Sequence, residues 1–129
     1  MDGSTPAGRG PRLDRTEDGV EVVVHGDDTR ARLAVRILER REELSDAALR
    51  LLCAFLAERF ERERTAFDLV SVEVLAGTEP DGADFALRYY FAPDTDPQEY
   101  GYTYFEVVFG CHAPPQRPFR PFRFTVGFH

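Results

Sequence analysis

From residue 67 onward the chain alternates apolar and polar residues with a period of two, in four separate stretches. Val70, Val72 and Val74 share one side of the first stretch. In the second, Phe85, Leu87, Tyr89 and Phe91 alternate with Arg88 and Tyr90. The third is aromatic on both sides, with Tyr100, Tyr102, Tyr104, Glu106 and Val108 on one and Thr103, Phe105, Val107 and Phe109 on the other. Phe122, Phe124, Val126 and Phe128 share one face of the fourth. Successive side chains of a strand point to opposite faces, so the pattern predicts four strands, each with one face to pack. Thr78-Glu79-Pro80-Asp81-Gly82 and Asp94-Thr95-Asp96-Pro97 carry turn chemistry between them.

Upstream, Val20, Val22 and Val24 alternate with Glu21 and His25 and predict one more strand. Residues 30–44 read two ways. Ala31, Leu33, Val35 and Ile37 alternate with Arg30, Arg32 and Arg36 as in a strand, yet Leu33, Ile37 and Leu44 also fit a helix face. A continuous helix over these residues would set Arg30 and Arg32 at its positive end and Glu42 and Glu43 at its negative end. That conflict favours a strand hairpin. The charges suit the dipole in the next segment, where Ser45 is the candidate N-cap and Leu49, Leu52, Cys53, Leu56 and Phe60 form an inward stripe. Leu51 and Phe55 lie off that stripe.

The expected fold is therefore α+β. A single antiparallel sheet of about five or six strands packs against one main helix, in the order ββαββββ, with βααββββ as the alternative. Residues 1–17, with their glycines, prolines and charges, are expected to form a disordered tail, and residues 18–129 a single domain.

Composition narrows the function. The 129 residues carry a formal charge of −7, and all 16 basic residues are arginine. Without lysine there is no P-loop lysine, no Schiff base and no pyridoxal-phosphate anchor. Net negative charge argues against nucleic-acid binding, which depends on neutralising phosphates. The longest near-apolar run is too short for a bilayer, and the first eleven residues lack the apolar segment of a secretory signal. Two cysteines make no disulfide framework, so the expected location is cytoplasmic.

No catalytic set can be assembled. Cys111 and His112 are adjacent and would point to opposite faces of a strand, so they form no dyad with each other. Ser4, Ser45 and Ser71 are the only serines, and none sits in a nucleophile elbow. Histidine and cysteine spacing fits no zinc site. Asp94, Asp96 and Glu99 cluster in one turn, with Asp81 and Asp84 in another, but the calcium-loop pattern fails at Pro97. No metal and no cofactor is assigned. Glu73 and Glu106 would be a carboxylate pair if they met, whereas a cross-strand partner for Glu106 is more ordinarily Arg88 or Arg123. Pro115, Pro118 and Pro121 are spaced three apart, which suits an extended connector into an edge strand.

The distinctive feature is a tyrosine stripe. Tyr100, Tyr102 and Tyr104 project from one side of one strand, and Tyr90 joins them from its neighbour. Tyrosine covers apolar area while keeping a polar tip, which suits protein contacts. The arginines are uneven as well: 9 lie between Arg30 and Arg64 and 4 beyond. That distribution predicts a bipolar domain, with an arginine-rich side opposite an acidic, tyrosine-bearing one.

The 100–107 strand, the acidic turn before it and the 45–60 helix resemble small uncharacterised bacterial α+β domains, some of which are immunity proteins beside polymorphic toxins. The resemblance spans residues 20–129. It implies neutralisation of a cognate toxin by binding, commonly through an acidic surface, and carries over no catalytic residue. The leading expectation is a non-enzymatic protein-binding domain with contacts at Tyr90, Tyr100, Tyr102, Tyr104, Glu106, Asp94, Asp96 and Glu99. One alternative is a ligand-binding or hydrolase-type pocket between helix and sheet using Cys111, His112 or Glu106. Another is self-association, as a homodimer, through Leu51 and Phe55 or an edge strand.

Overall fold

A computed structural model describes residues 11–93, 103–110 and 119–128. Six strands form one sheet in chain order: β1 (Arg12–Arg15), β2 (Glu21–Val24), β3 (Phe67–Val74), β4 (Ala83–Phe91), β5 (Thr103–Gly110) and β6 (Arg120–Phe128). Between β2 and β3 lie α1 (Asp28–Glu39), α2 (Arg41–Phe55) and α3 (Glu58–Arg62), followed by a 3-10 turn at Arg64–Ala66. The α+β class holds, but the sheet is mixed. β2 and β3 run parallel, with Val22 opposite Val72 and Val24 opposite Val74, while every other neighbouring pair is antiparallel. Parallel neighbours need a crossover that returns the chain to the same end of the sheet, and the three helices supply it.

The expected hairpin over residues 30–44 is helical, spanning α1 and the start of α2, and the one main helix expected is three. Asp27 caps α1 by accepting from the backbone N–H of Thr29 at 3.0 Å and of Arg30 at 3.4 Å. The dipole argument against it assumed one continuous helix. The chain instead breaks at Arg40, so Glu42 and Glu43 fall in the favourable first turn of α2. Arg30 escapes the positive end by reaching sideways over the sheet. Its Nε donates to the Leu75 carbonyl at 2.8 Å, and its Nη2 meets the Asp84 carbonyl and carboxylate at 3.1 Å each. Two glycines with positive φ make room for that side chain. A Cβ on Gly26 would stand 2.8 Å from Arg30 Cγ, and one on Gly77 would stand 3.3 Å from its Nη1.

Ser45 is not an N-cap; it lies inside α2, where its Oγ accepts from the Tyr89 hydroxyl at 2.9 Å. The expected 45–60 helix divides at Leu56, whose backbone is extended, and α3 restarts the chain in a new direction. The re-aimed segment buries Phe60 among Phe91 at 4.8 Å, Phe105 at 5.8 Å and Phe67 at 6.0 Å between ring centroids. Such ring pairs add roughly 0.5–1.5 kcal/mol each beyond area burial.

β1 occupies part of the segment expected to be a disordered tail. All four of its residues are exposed, so no apolar pattern announces it. It is held by its ladder to β2, by the Thr16–Gly19 turn and by an Arg12–Asp28 ion pair at 2.7 Å.

The core lies between the helices and one face of the sheet. Leu33, Ile37, Leu44, Ala48 and Leu52 from the helices meet Val22, Val72, Val74, Phe85, Leu87, Phe105, Val107 and Phe109 from the strands. Each strand residue named there belongs to the apolar phase of its alternation. The helical layer therefore covers one face of the sheet.

Candidate interaction surface

The register fixes which residues share the face away from the helices. Across it, Ser71 pairs with Arg88, Arg88 with Glu106, and Glu106 with Thr125. One step along, Tyr104 pairs with Gly127. Among the described residues no helix packs on this face. Its far end carries a small apolar cluster of Ala83, Ala86 and Val108, with Leu75 and Phe122 against it.

Three charged or aromatic groups interlock near its middle. Arg88 Nη2 donates to Glu106 Oε2 at 2.9 Å. The same guanidinium lies over the Tyr104 ring, 4.4 Å from its centroid. The Tyr104 ring in turn lies across Gly127, where a Cβ would stand 2.5 Å from the ring Cζ. Partial burial alone would lower the Arg88 pKa, but the Glu106 hydrogen bond and charge outweigh it and hold it above its ordinary value. The cross-strand pairing of Glu106 with Arg88 expected from the sequence is the one observed. Glu73 shares this face, but it meets His25 rather than Glu106, with His25 Nε2 and Glu73 Oε2 2.7 Å apart. No carboxylate pair forms.

Of the expected contact residues, the structure brings together Tyr104 and Glu106, and places Tyr90 on the adjacent strand with 38% of its surface exposed. Tyr100, Tyr102, Asp94, Asp96 and Glu99 lie outside the described residues, as do Cys111 and His112. The residues that sequence reasoning passed over as contacts are Arg88 and Gly127. A glycine inside a predicted strand was the available signal, because such a position marks close approach by another group.

The expected arginine-rich pole does not form. Arg40, Arg41, Arg50, Arg59, Arg62 and Arg64 each pair with a carboxylate of the helical layer or of the β1–β2 turn, and Arg30 pairs with Asp84 of β4. Counting charges along a chain ignores acids that the fold sets beside them. Arg36 and Arg40 also flank the Phe119 ring, at 5.4 and 5.9 Å from its centroid, where it meets Phe85 edge-on.

Among the described residues, the helices and the sheet face beneath them are joined by the packed core. Glu106 faces away from the helices, so it cannot serve the pocket expected between helix and sheet. An open groove of about 530 Å³ lies at the β1 edge over Val22, Val24, Ala31, Ala34, Val35 and Leu38. Cys53 is buried on α2, and desolvation pushes its thiol up, away from nucleophilic reactivity. No described helix is long and apolar enough to cross a membrane. No family model, curated protein or solved structure matches the chain.

Proposed function

We propose that this chain is a small, non-enzymatic protein-binding domain of the kind that neutralises a toxin or inhibits an enzyme, acting through the helix-free face of its sheet. The observation that carries this reading is the ordered trio of Arg88, Tyr104 and Glu106, with Tyr90 exposed beside it. Tyrosine and arginine are the residue types that most often anchor protein interfaces. Here the arginine is already held by a carboxylate and an aromatic ring before any partner arrives. Side chains fixed in advance lose less rotamer freedom on association, so more of the contact energy becomes affinity. The Glu106 carboxylate and the overall charge of −7 suit a partner with a basic patch, which would be steered electrostatically toward this face. The 94–102 segment, with Tyr100, Tyr102, Asp94, Asp96 and Glu99, extends the same proposal.

The test compares capture of a partner from cell extract by the wild type, by Tyr90→Ala/Tyr104→Ala and by Arg50→Ala as a control in the helical layer. Loss of two anchors should weaken binding by at least tenfold, and the control should bind as the wild type does. Full binding by the double variant would overturn the reading.

A further inference from the structure

We propose that β6 is a dimerisation strand, which pairs antiparallel with β6 of a second copy of this chain to continue the sheet across a two-fold axis. This surface is distinct from the face discussed above, and the two proposals stand or fall separately.

The sheet has two unlike edges. β1 is four residues long, and both its ends are arginine. β6 is nine residues long and, among the described residues, pairs with β5 on one side only. Natural edge strands are usually short, charged or covered, because unpaired backbone groups invite another strand. β6 is instead apolar in its second half. Phe124, Val126 and Phe128 stand opposite the core residues Val107, Phe105 and Thr103, so all three belong to the helix-side face. Coverage fails along the row: Val126 is 39% exposed and Phe128 is 77% exposed. Phe55, at the end of α2, is 69% exposed and reaches Phe124 at 5.7 Å between centroids. The three side chains form one apolar border along the edge.

A second copy fits this border better than an unrelated strand. About a two-fold axis through Thr125, Phe124 falls opposite Val126 of the second copy, Arg123 opposite Gly127, and Thr125 opposite itself. Phe124 and Val126 meet their copies in phase on the helix side, and no like charges face each other. Arg123 is already paired with Asp81 at 3.1 Å, and Arg120 lies beyond the paired segment. Two partly exposed phenylalanines and a valine offer on the order of 300 Å² of apolar surface per copy. With backbone and flanking side chains, two copies together bury roughly 1,200 Å², the lower end of specific interfaces. The dimer should therefore be reversible, with a dissociation constant on the order of micromolar.

The experiment is sedimentation velocity of the full chain from sub-micromolar to high-micromolar concentration. The wild type should pass from monomer to dimer. Val126→Lys and Phe128→Glu, both at exposed positions, should keep the far-UV circular dichroism spectrum while weakening the dimer at least tenfold. In a Cys111→Ser background, Thr125→Cys should form a disulfide-linked dimer on mild oxidation. A wild type that stays monomeric overturns the proposal, even if it binds a foreign strand peptide. A dimer unaffected by either edge variant, with no cross-link at residue 125, overturns it as well.

Discussion

The Tyr104 ring on β5 lies across Gly127 on β6, so close that a Cβ at residue 127 would fall 2.5 Å from the ring Cζ. A glycine inside a strand ordinarily weakens it, since nothing packs there and the backbone loses more freedom on folding. Here the neighbouring aromatic ring covers the bare backbone and is itself held under the Arg88 guanidinium. Gly127→Ala should displace the ring and cost about 1 kcal/mol in urea denaturation. In a Tyr104→Ala background the same change should be neutral or stabilising, and the double-mutant cycle isolates the coupling. Equal costs in both backgrounds would refute the ring-over-glycine account.

Arg30 is the second device that depends on glycine. Its guanidinium ties the first turn of α1 to the β3–β4 connection through three hydrogen bonds, and only 17% of its side chain is exposed. Arg30→Ala should cost about 2 kcal/mol, because it removes three partly buried hydrogen bonds at once, one of them charge-assisted by Asp84. Arg30→Lys should recover little, since an ammonium cannot span Leu75 and Asp84 together. Thermal melts of the two variants within a few tenths of the wild type would contradict this role.

Ser45 and Tyr89 form a hydrogen bond inside the core. Ser45→Ala should cost about 1–2 kcal/mol by leaving a buried hydroxyl without its acceptor, and adding Tyr89→Phe should return most of the loss. Burial pushes the Tyr89 phenol well above its ordinary value of 10.0, outweighing the Ser45 hydrogen bond, which acts the other way. The unfolded chain therefore releases this proton first, so its stabilisation is present below pH 10.0 and declines above it. Alkaline melts of Tyr89→Phe should fall less steeply above that pH than those of the wild type.

Asp18, in the turn between β1 and β2, accepts from Arg41 of α2 and from the Thr16 hydroxyl. Those two bonds, Arg41's first, hold its carboxyl at about 2 against an ordinary 3.8. The unfolded chain takes up this proton at the higher pH. The stabilisation is therefore present above 3.8 and lost as the pH falls to about 2. Asp18→Asn should melt below the wild type at neutral pH, and the gap should close across that acid window. A gap that stays constant would show that Asp18 does not act through its charge.

The strands β3 to β6 were legible because their alternation records a one-sided burial that each strand must satisfy separately. The 30–44 segment was not, because Leu33 and Ile37 serve either period, and the deciding facts lie outside the apolar pattern. Those facts are the Asp27 cap, the break at Arg40 and the carboxylate waiting for Arg30 at Asp84. β1 was invisible for the opposite reason: it buries nothing, and its stability comes from backbone pairing to β2.

The sequence by itself determined the α+β class, the inward phase of the long strands and a cross-strand arginine for Glu106, though not whether Arg88 or Arg123. All three follow from period-two burial and short turns, which act over a few residues. Only the tertiary structure decided that β2 and β3 run parallel, that Arg30 and Arg41 of the helical layer meet Asp84 and Asp18, and that Tyr104 covers Gly127. Each of those depends on which distant segment arrives beside which, and a linear pattern carries no record of that.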